Sequence, residues 1–291
     1  MGSRTHEDRV GTRFGCVPDS HGIFADPEAV ACSMALMARH RPEVLVLLGD
    51  HVDFYALSRF DKDPKRMLCL QDDLDAGHAF VKAARKAAPH ARILYLEGNH
   101  ENRLQRWLHA KGPEVSGLVE RLGKGRNGSR RQLLSVPYLL GLGDLGVAWV
   151  SGGSRDVGGI TFKHGNLEGV AWVSGGSRDV GGITFKHGNL VRSKAGATAM
   201  AELEREGTSG ASGHTHRIGH ASKTTRGGVF GWWECGCLCD LKPDYMPGQI
   251  PDWQHGCAYG SFAEGSRGRF YMNVAHIIRG KAMYGDKVVY A

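Results

Sequence analysis

The first half of the chain alternates apolar runs with amphipathic stretches. RFGCV, from Arg13 to Val17, leads into the polar PDSHG and reads as a strand running into a loop. Asp26 and Pro27 then supply a helix N-cap and a first-turn proline. The helix they open, DPEAVACSMALMARH, places Val30, Met34, Met37 and Ala38 at helical spacing on one face. VLVLLGDHVD is a continuous apolar run that stops in acidic residues, the pattern of a parallel strand buried on both faces. An amphipathic helix is predicted over Leu70–Ala87. ARILYLEGNHE is a third strand with a polar end, and ENRLQRWLHA continues as a helix.

Three consecutive strand–helix units therefore end their strands in Asp/His, Asp and Asn/His. Open α/β sheets bind ligands outside the carboxyl ends of their strands, so these residues are expected to converge on one edge. The second half reads differently. SKAGATAMAELERE is a helix, and TSGASGHTH is a strand leading into a loop. HASKTT, GVFGWWECGCLCD, RFYMNVAHII and KVVYA are strands, with the Pro/Gly-rich KPDYMPGQIPDWQHG between them. This predicts a second, largely antiparallel sheet packed on the first. No linker divides the chain, which is expected to form a single domain over 1–291.

One segment is duplicated. GVAWVSGGSRDVGGITFKHGNL runs from Gly146 to Leu167 and returns unchanged from Gly169 to Leu190, with Glu168 between. Two copies do not make a solenoid, so the 146–190 region reads as a tandem duplication within a fold that needs one copy.

In order, the polar strand ends are PDSHG (Asp19, His21), GDHVD (Asp50, Asp53), GNHE (Asn99, His100), KHG (His164 or His187) and GHTH (His214, His216). Carboxylate, amide oxygen and imidazole are donors suited to Mn, Fe, Zn, Co or Ni rather than to calcium or a cysteine-bound structural zinc. Two divalent ions ~3.5–4 Å apart need a bridging carboxylate, and Asp50 is central in the set.

These motifs resemble the signature of the calcineurin-like metallophosphoesterases, a superfamily that includes purple acid phosphatases and protein phosphatases. The signature is D-x-H, G-D-x-x-D, G-N-H-[DE], a His and G-H-x-H, all in order from Asp19 to His216. Phage-encoded members look similar around GNHENRL and GHTHR. The resemblance implies a four-layer α/β/β/α sandwich of two mixed sheets flanked by helices. It implies one cation held by Asp19, His21, Asp50 and His216, and a second by Asp50, Asn99, His187 and His214. It implies hydrolysis of phosphate esters by metal-activated water, with His100 assisting the leaving group or steadying phosphoryl oxygens. Asp53 is then a supporting residue. Glu101 is expected to favour the following helix through its dipole rather than to bind metal.

Of the two KHG histidines, His187 is the expected ligand. Only the second copy connects directly, through Asn189–Arg192, to the helix that precedes GHTH. Using His164 would leave 168–190 looped out where a ligand must be held rigidly.

Composition narrows the substrate a little. The 291 residues carry a net charge of +7 and a pI near 9.1, which suits a polyanionic partner. Lys124, Arg126, Arg130 and Arg131 form the densest basic stretch and are candidate contacts to a phosphate backbone. A phosphodiesterase or nuclease-like activity on nucleic acid or a nucleotide is therefore expected, with a phosphomonoesterase as the alternative. A metal-binding scaffold without turnover is the rival from another class. No apolar run reaches the ~18 residues of a membrane span, and a cytoplasmic protein is expected. The seven cysteines are scattered, so no disulfide framework is expected. Cys235, Cys237 and Cys239 alternate as on one face of a strand and read as small packing residues. Trp232, Trp233 and Trp253 read as core or loop packing rather than a stacking groove.

Overall fold

The computed structural model describes residues 10–59, 69–120, 131–151, 154–157, 160–163, 183–243, 246, 248–263 and 270–291. Four parallel strands follow the apolar runs: β1 (Val10–Val17), β2 (Val44–Leu47), β3 (Arg92–Leu96) and β4 (Val147–Val150). Between them run α1 (Pro27–His40), α2 (Leu70–Ala87), α3 (Asn102–Lys111) and the short α4 (Pro113–Ser116) and α5 (Val136–Leu139). The Asp26 carboxylate caps α1 by accepting from the Ala29 amide at 2.8 Å, as the sequence predicts. The buried face of α1 is wider than predicted and shifted. Cys32, Leu36 and Met37 are fully buried, whereas Ala38 is exposed. The reason is a C-terminal hairpin, β13 (Lys281–Tyr284) and β14 (Lys287–Tyr290), which packs on α1 and, through Tyr284, on Tyr259 of the sheet.

The second sheet contains β5 (Ser154–Val157), β6 (Ile160–Lys163), β7 (Thr184–Lys186), β8 (Gly210–Ser212), β9 (Ile218–Thr225) and β10 (Gly228–Cys235), in the order β5-β6-β7-β8-β10-β9. Helix α6 (Ala197–Glu206) covers its outer face. Phe14, Val46, Leu94 and Leu96 of the first sheet meet Ile183, Phe185, Ala211 and Cys235 of the second in a dry layer, with Phe14 and Phe185 edge to face at 5.5 Å. The alternate residues Leu45, Leu47, Ile93 and Tyr95 face α1 and α2, where Leu36, Met37, Phe80 and Val81 cover them. Ala199 and Leu203 of α6 close the other side over Ala221 and Trp232. The layers are thus helices, sheet, sheet and helix.

Two strand expectations need correction. The second sheet is not largely antiparallel: β6–β7, β7–β8 and β8–β10 pair in parallel, and only β5–β6 and β9–β10 are antiparallel. The C-terminal strands β11 (Gly256–Ala263) and β12 (Phe270–His276) do not extend it. They return to the first sheet, giving the order β12-β11-β1-β2-β3-β4. Strand β10 also stops at Cys235, because Gly236 takes a left-handed φ of 80° and turns the chain away.

The duplication is visible as a pair of twin strands. Thr161 pairs with Thr184 and Phe162 with Phe185 across β6 and β7, so each residue lies beside its own copy. The first copy also supplies β4 and the β5–β6 hairpin, while the second supplies β7 against β8. Because each β6 residue pairs in register with its own copy, β6 can step sideways into the place of β7 without a register change. Deleting residues 168–190 is accordingly expected to leave a folded protein with unchanged far-ultraviolet circular dichroism per residue and unchanged metal content. A molten or metal-free deletion product would show that the second copy carries something the first does not.

Candidate metal centre

Every polar motif sits just past the carboxyl end of a strand. Asp19 and His21 follow β1, Asp50 and Asp53 follow β2, Asn99 and His100 follow β3, His187 follows β7, and His214 and His216 follow β8. Seven non-glycine residues adopt positive φ among the described residues, and four of them are His21 (54°), Asp50 (54°), His214 (67°) and His216 (59°). Backbone strain is therefore concentrated where these side chains turn inward, as expected of a site held by its surroundings.

The side chains converge. His187 Nε2 lies 2.9 Å from Asn99 Oδ1, 3.0 Å from His214 Nδ1 and 3.0 Å from Asp50 Oδ2. His21 Nε2 faces His216 Nε2 at 3.0 Å, and Asp19 Oδ1 is 3.8 Å from His216 Nε2 and 3.4 Å from His187 Nδ1. His100 Nε2 is 3.8 Å from Asp50 Oδ2. Donor atoms form three groups, each within 4.8 Å: His21, Asp50 and His100; Asp50, His187 and His214; and His21, His216 and Cys239. Asp50 belongs to two of them. His164, Lys124, Arg126 and Arg130 lie outside the described residues. Arg131 is described, and it is exposed.

A layer of partners fixes this geometry. The Glu101 carboxylate accepts from the amides of Asp50 (2.9 Å), His51 (2.8 Å) and Gly98 (2.7 Å) and from the Tyr95 hydroxyl (2.7 Å). It makes no capping bond to its own helix, so the expected dipole role gives way to pinning the Asp50 loop. Asp73, in the first turn of α2, accepts from the amides of Asp53 (3.0 Å) and Phe54. Asp53 Oδ2 faces the Nδ1 atoms of His21 and His100, each at 3.1 Å, which leaves both Nε2 atoms turned to the centre. The motif glycines serve the same end. A Cβ on Gly98 would collide with the Asp50 carboxylate, and one on Gly213 with that of Asp19. Gly213→Ala is therefore expected to weaken metal affinity about 10–100-fold, read by competition with a chelating dye.

Electrostatics match a cation site. Burial, with the Asp50 charge adding to it, pushes the Asp19 carboxyl up to about 6. Burial also opposes ionisation of Asp50, but the His187 and His100 imidazoles outweigh it and hold Asp50 well below the carboxylate range. Against their own burial, His187 is lifted to about 9, chiefly by Asp50 and Asp19, and His21 to about 10, chiefly by Asp53. Burial, then the His187 charge, drops His214 to about 3. Protons on His21 and His187 thus balance buried carboxylates, and divalent cations can take that role. The mixed oxygen and nitrogen donors fit first-row divalent ions.

Sequence reading missed three neighbours. Arg103, the second residue of α3, donates to the Asp53 carbonyl at 2.8 Å and its Nη2 is 3.2 Å from His100 Nε2. Its spacing of three from His100 on a helix was the available signal. Trp253 stands edge to face against His216 at 4.4 Å, while Trp232 is core and Trp233 packs on Phe270. Cys239 keeps the expected contact with Cys237, through a thiol hydrogen bond, and also lies 3.8 Å from His216 Nδ1.

This constellation on a two-sheet sandwich defines a metal-dependent phosphoric ester hydrolase. Residues 12–217 match the model of the calcineurin-like phosphoesterases, and the chain belongs to that family of metal-dependent phosphoester hydrolases. It is an enzyme. The chain is 24% identical over 254 residues to the Gene 54 protein of Mycobacterium phage D29, covering 85% of this chain and 88% of that protein. The structure of Vacuolar Protein Sorting 29 from Cryptosporidium parvum aligns over 97% of this chain and 98% of its own, at 12% identity and a TM-score of 0.44. No helix among the described residues is long and apolar enough to cross a membrane.

Proposed function

We propose that the chain is a two-cation phosphodiesterase acting on nucleic acid or nucleotides as one domain. The position of Asp50 supports this most directly, since its carboxylate belongs to two donor groups and could be shared by two ions. In this reading Asp19, His21, Asp50 and His216 hold one ion, and Asp50, Asn99, His187 and His214 hold the other. The ions are drawn from Mn, Fe, Zn, Co and Ni. When bound, they supply charge neutralisation at phosphoryl oxygens and a water of lowered pKa.

The chain's own residues orient the substrate. Asp53 and Arg103 fix the His100 ring, with Nδ1 toward Asp53 and Nε2 facing the guanidinium. Burial lowers the His100 pKa, with Asp50 and Asp53 opposing it. Nδ1 donates to Asp53, so Nε2 can donate to a phosphoryl or leaving oxygen only from the protonated ring, and His100 is assigned to that role. Arg103 adds a positive charge beside it. The diester preference draws on the net charge of +7 and on the Lys124, Arg126, Arg130 and Arg131 stretch as a backbone contact.

Metal-loaded protein assayed on bis- and mono-nitrophenyl phosphate tests the proposal. Faster turnover of the diester and two ions per chain are expected. Preference for the monoester would assign the site to a phosphomonoesterase.

A further inference from the structure

Four aromatic rings stand in a row across the metal centre. The His100 and His21 centroids are 4.5 Å apart, those of His21 and His216 4.9 Å, and those of His216 and Trp253 4.4 Å, each pair edge to face. The three imidazoles keep 14%, 8% and 10% of their side-chain surface open, so solvent reaches the row along its length. Arg103 stands at one end, its guanidinium on His100, and Trp253 stands at the other. Trp232 is sealed in the core, whereas the Trp253 indole is only half-buried and extends the row beyond the centre.

The chain on either side of Trp253 is tied to the segment that carries His216. The Gln254 amide donates to the His216 carbonyl at 2.8 Å, and the Gln254 side-chain oxygen accepts from the Ile218 amide at 2.9 Å. The Gln254 side-chain nitrogen donates to Asp252 Oδ1 at 3.0 Å, and Asp252 Oδ2 pairs with Arg217 Nε at 3.3 Å. The Cys237 amide also donates to the Gln254 carbonyl at 3.0 Å. The indole is therefore held in place beside His216 while part of it stays open.

We propose that Trp253 is the stacking wall for a nucleobase of the substrate. A phosphoryl group lying over the imidazole row leaves the nucleoside on its His216 side next to a flat, half-open indole. Stacking on an indole accepts any base, because every base has a π-face. This deepens the nucleotide reading above and rests on it.

The test compares adenosine 5′-monophosphate with ribose 5-phosphate, which lacks the base, by calorimetry on the manganese-loaded full chain. The unaltered protein should bind the nucleotide more tightly. In Trp253→Ala that preference should shrink about 5–150-fold, the contribution of one stacked base, and Trp253→Phe should retain much of it. Equal weakening of both ligands in Trp253→Ala would make the indole a prop for His216 and overturn the proposal. An unchanged preference, or none in the unaltered protein, would overturn it too. Should Trp253→Ala not fold, Trp253→Leu decides by the same ratio, since it fills the space against His216 without a ring. Hydrolysis of the nucleotide would sink the diester reading alone, and the ratio of Michaelis constants would then be read in place of the affinities. Failure of the loaded protein to bind either phosphate would overturn the two-cation reading and this proposal together.

Discussion

His187→Ala is expected to lower phosphoester hydrolysis by at least about 10²–10³-fold, the scale for removing an electrostatic element of a catalytic centre. Bound metal should drop from two ions to about one. His164→Ala, which alters the same residue of the first copy, should leave both quantities unchanged. The contrast follows from how β7 is anchored. Phe185 fills the layer between the sheets against Phe14, while on the opposite face Lys186 pairs with Glu202 and, at 2.9 Å, with Glu206. The Lys186 ammonium also lies over the Trp232 ring at 5.2 Å. A strand held on both faces delivers the next residue, His187, to Asn99, His214 and Asp50 with little freedom. The measurements are metal analysis and turnover on the same preparations. Loss of metal in His164→Ala with retention in His187→Ala reverses the assignment.

How much of this was legible in the sequence depends on the range of the interactions involved. Local chemistry was readable: the Asp26–Pro27 start of α1, the bounds of α2, and the continuous apolar runs of β2 and β3. The strand-end motifs were readable for the same reason, because each lies within a few residues of a strong apolar run. The return of β11 to the first sheet was not. GCAYGSFA has no β-branched residue, and its Gly256 and Gly260 look like loop signals. Gly260 is there because a side chain would strike the Phe14 ring and the Tyr271 carbonyl, a constraint set by residues far away in sequence. Asp73 was hidden similarly. In the first turn of a helix it reads as a dipole partner, yet its carboxylate is spent on amides 19 and 20 residues away.

Glu101→Ala is expected to destabilise the metal-free protein by at least about 3 kcal/mol, because it strands three buried amides and a tyrosine hydroxyl that each cost roughly 1–3 kcal/mol unpaired. For a chain of this size that corresponds to a melting temperature lower by about 6–12 °C. A residue acting only through the helix dipole would cost about 0.3–1 kcal/mol, so the magnitude separates the two roles. Glu101→Gln should fall between, since its carbonyl still accepts while its amide group faces N–H donors. Urea unfolding in the presence of chelator removes the contribution of bound metal and isolates this term. The geometry makes a further demand on the same variant. Glu101 is the acceptor for the Asp50 and His51 amides, so losing it frees the loop that carries the carboxylate shared by two donor groups. Metal affinity should therefore fall along with stability in Glu101→Ala, about 10–100-fold. Were stability lost with affinity intact, the Asp50 loop would be held by the cations and by the Ser20 and His21 amides on its carbonyl, and Glu101 would be a prop of the fold alone.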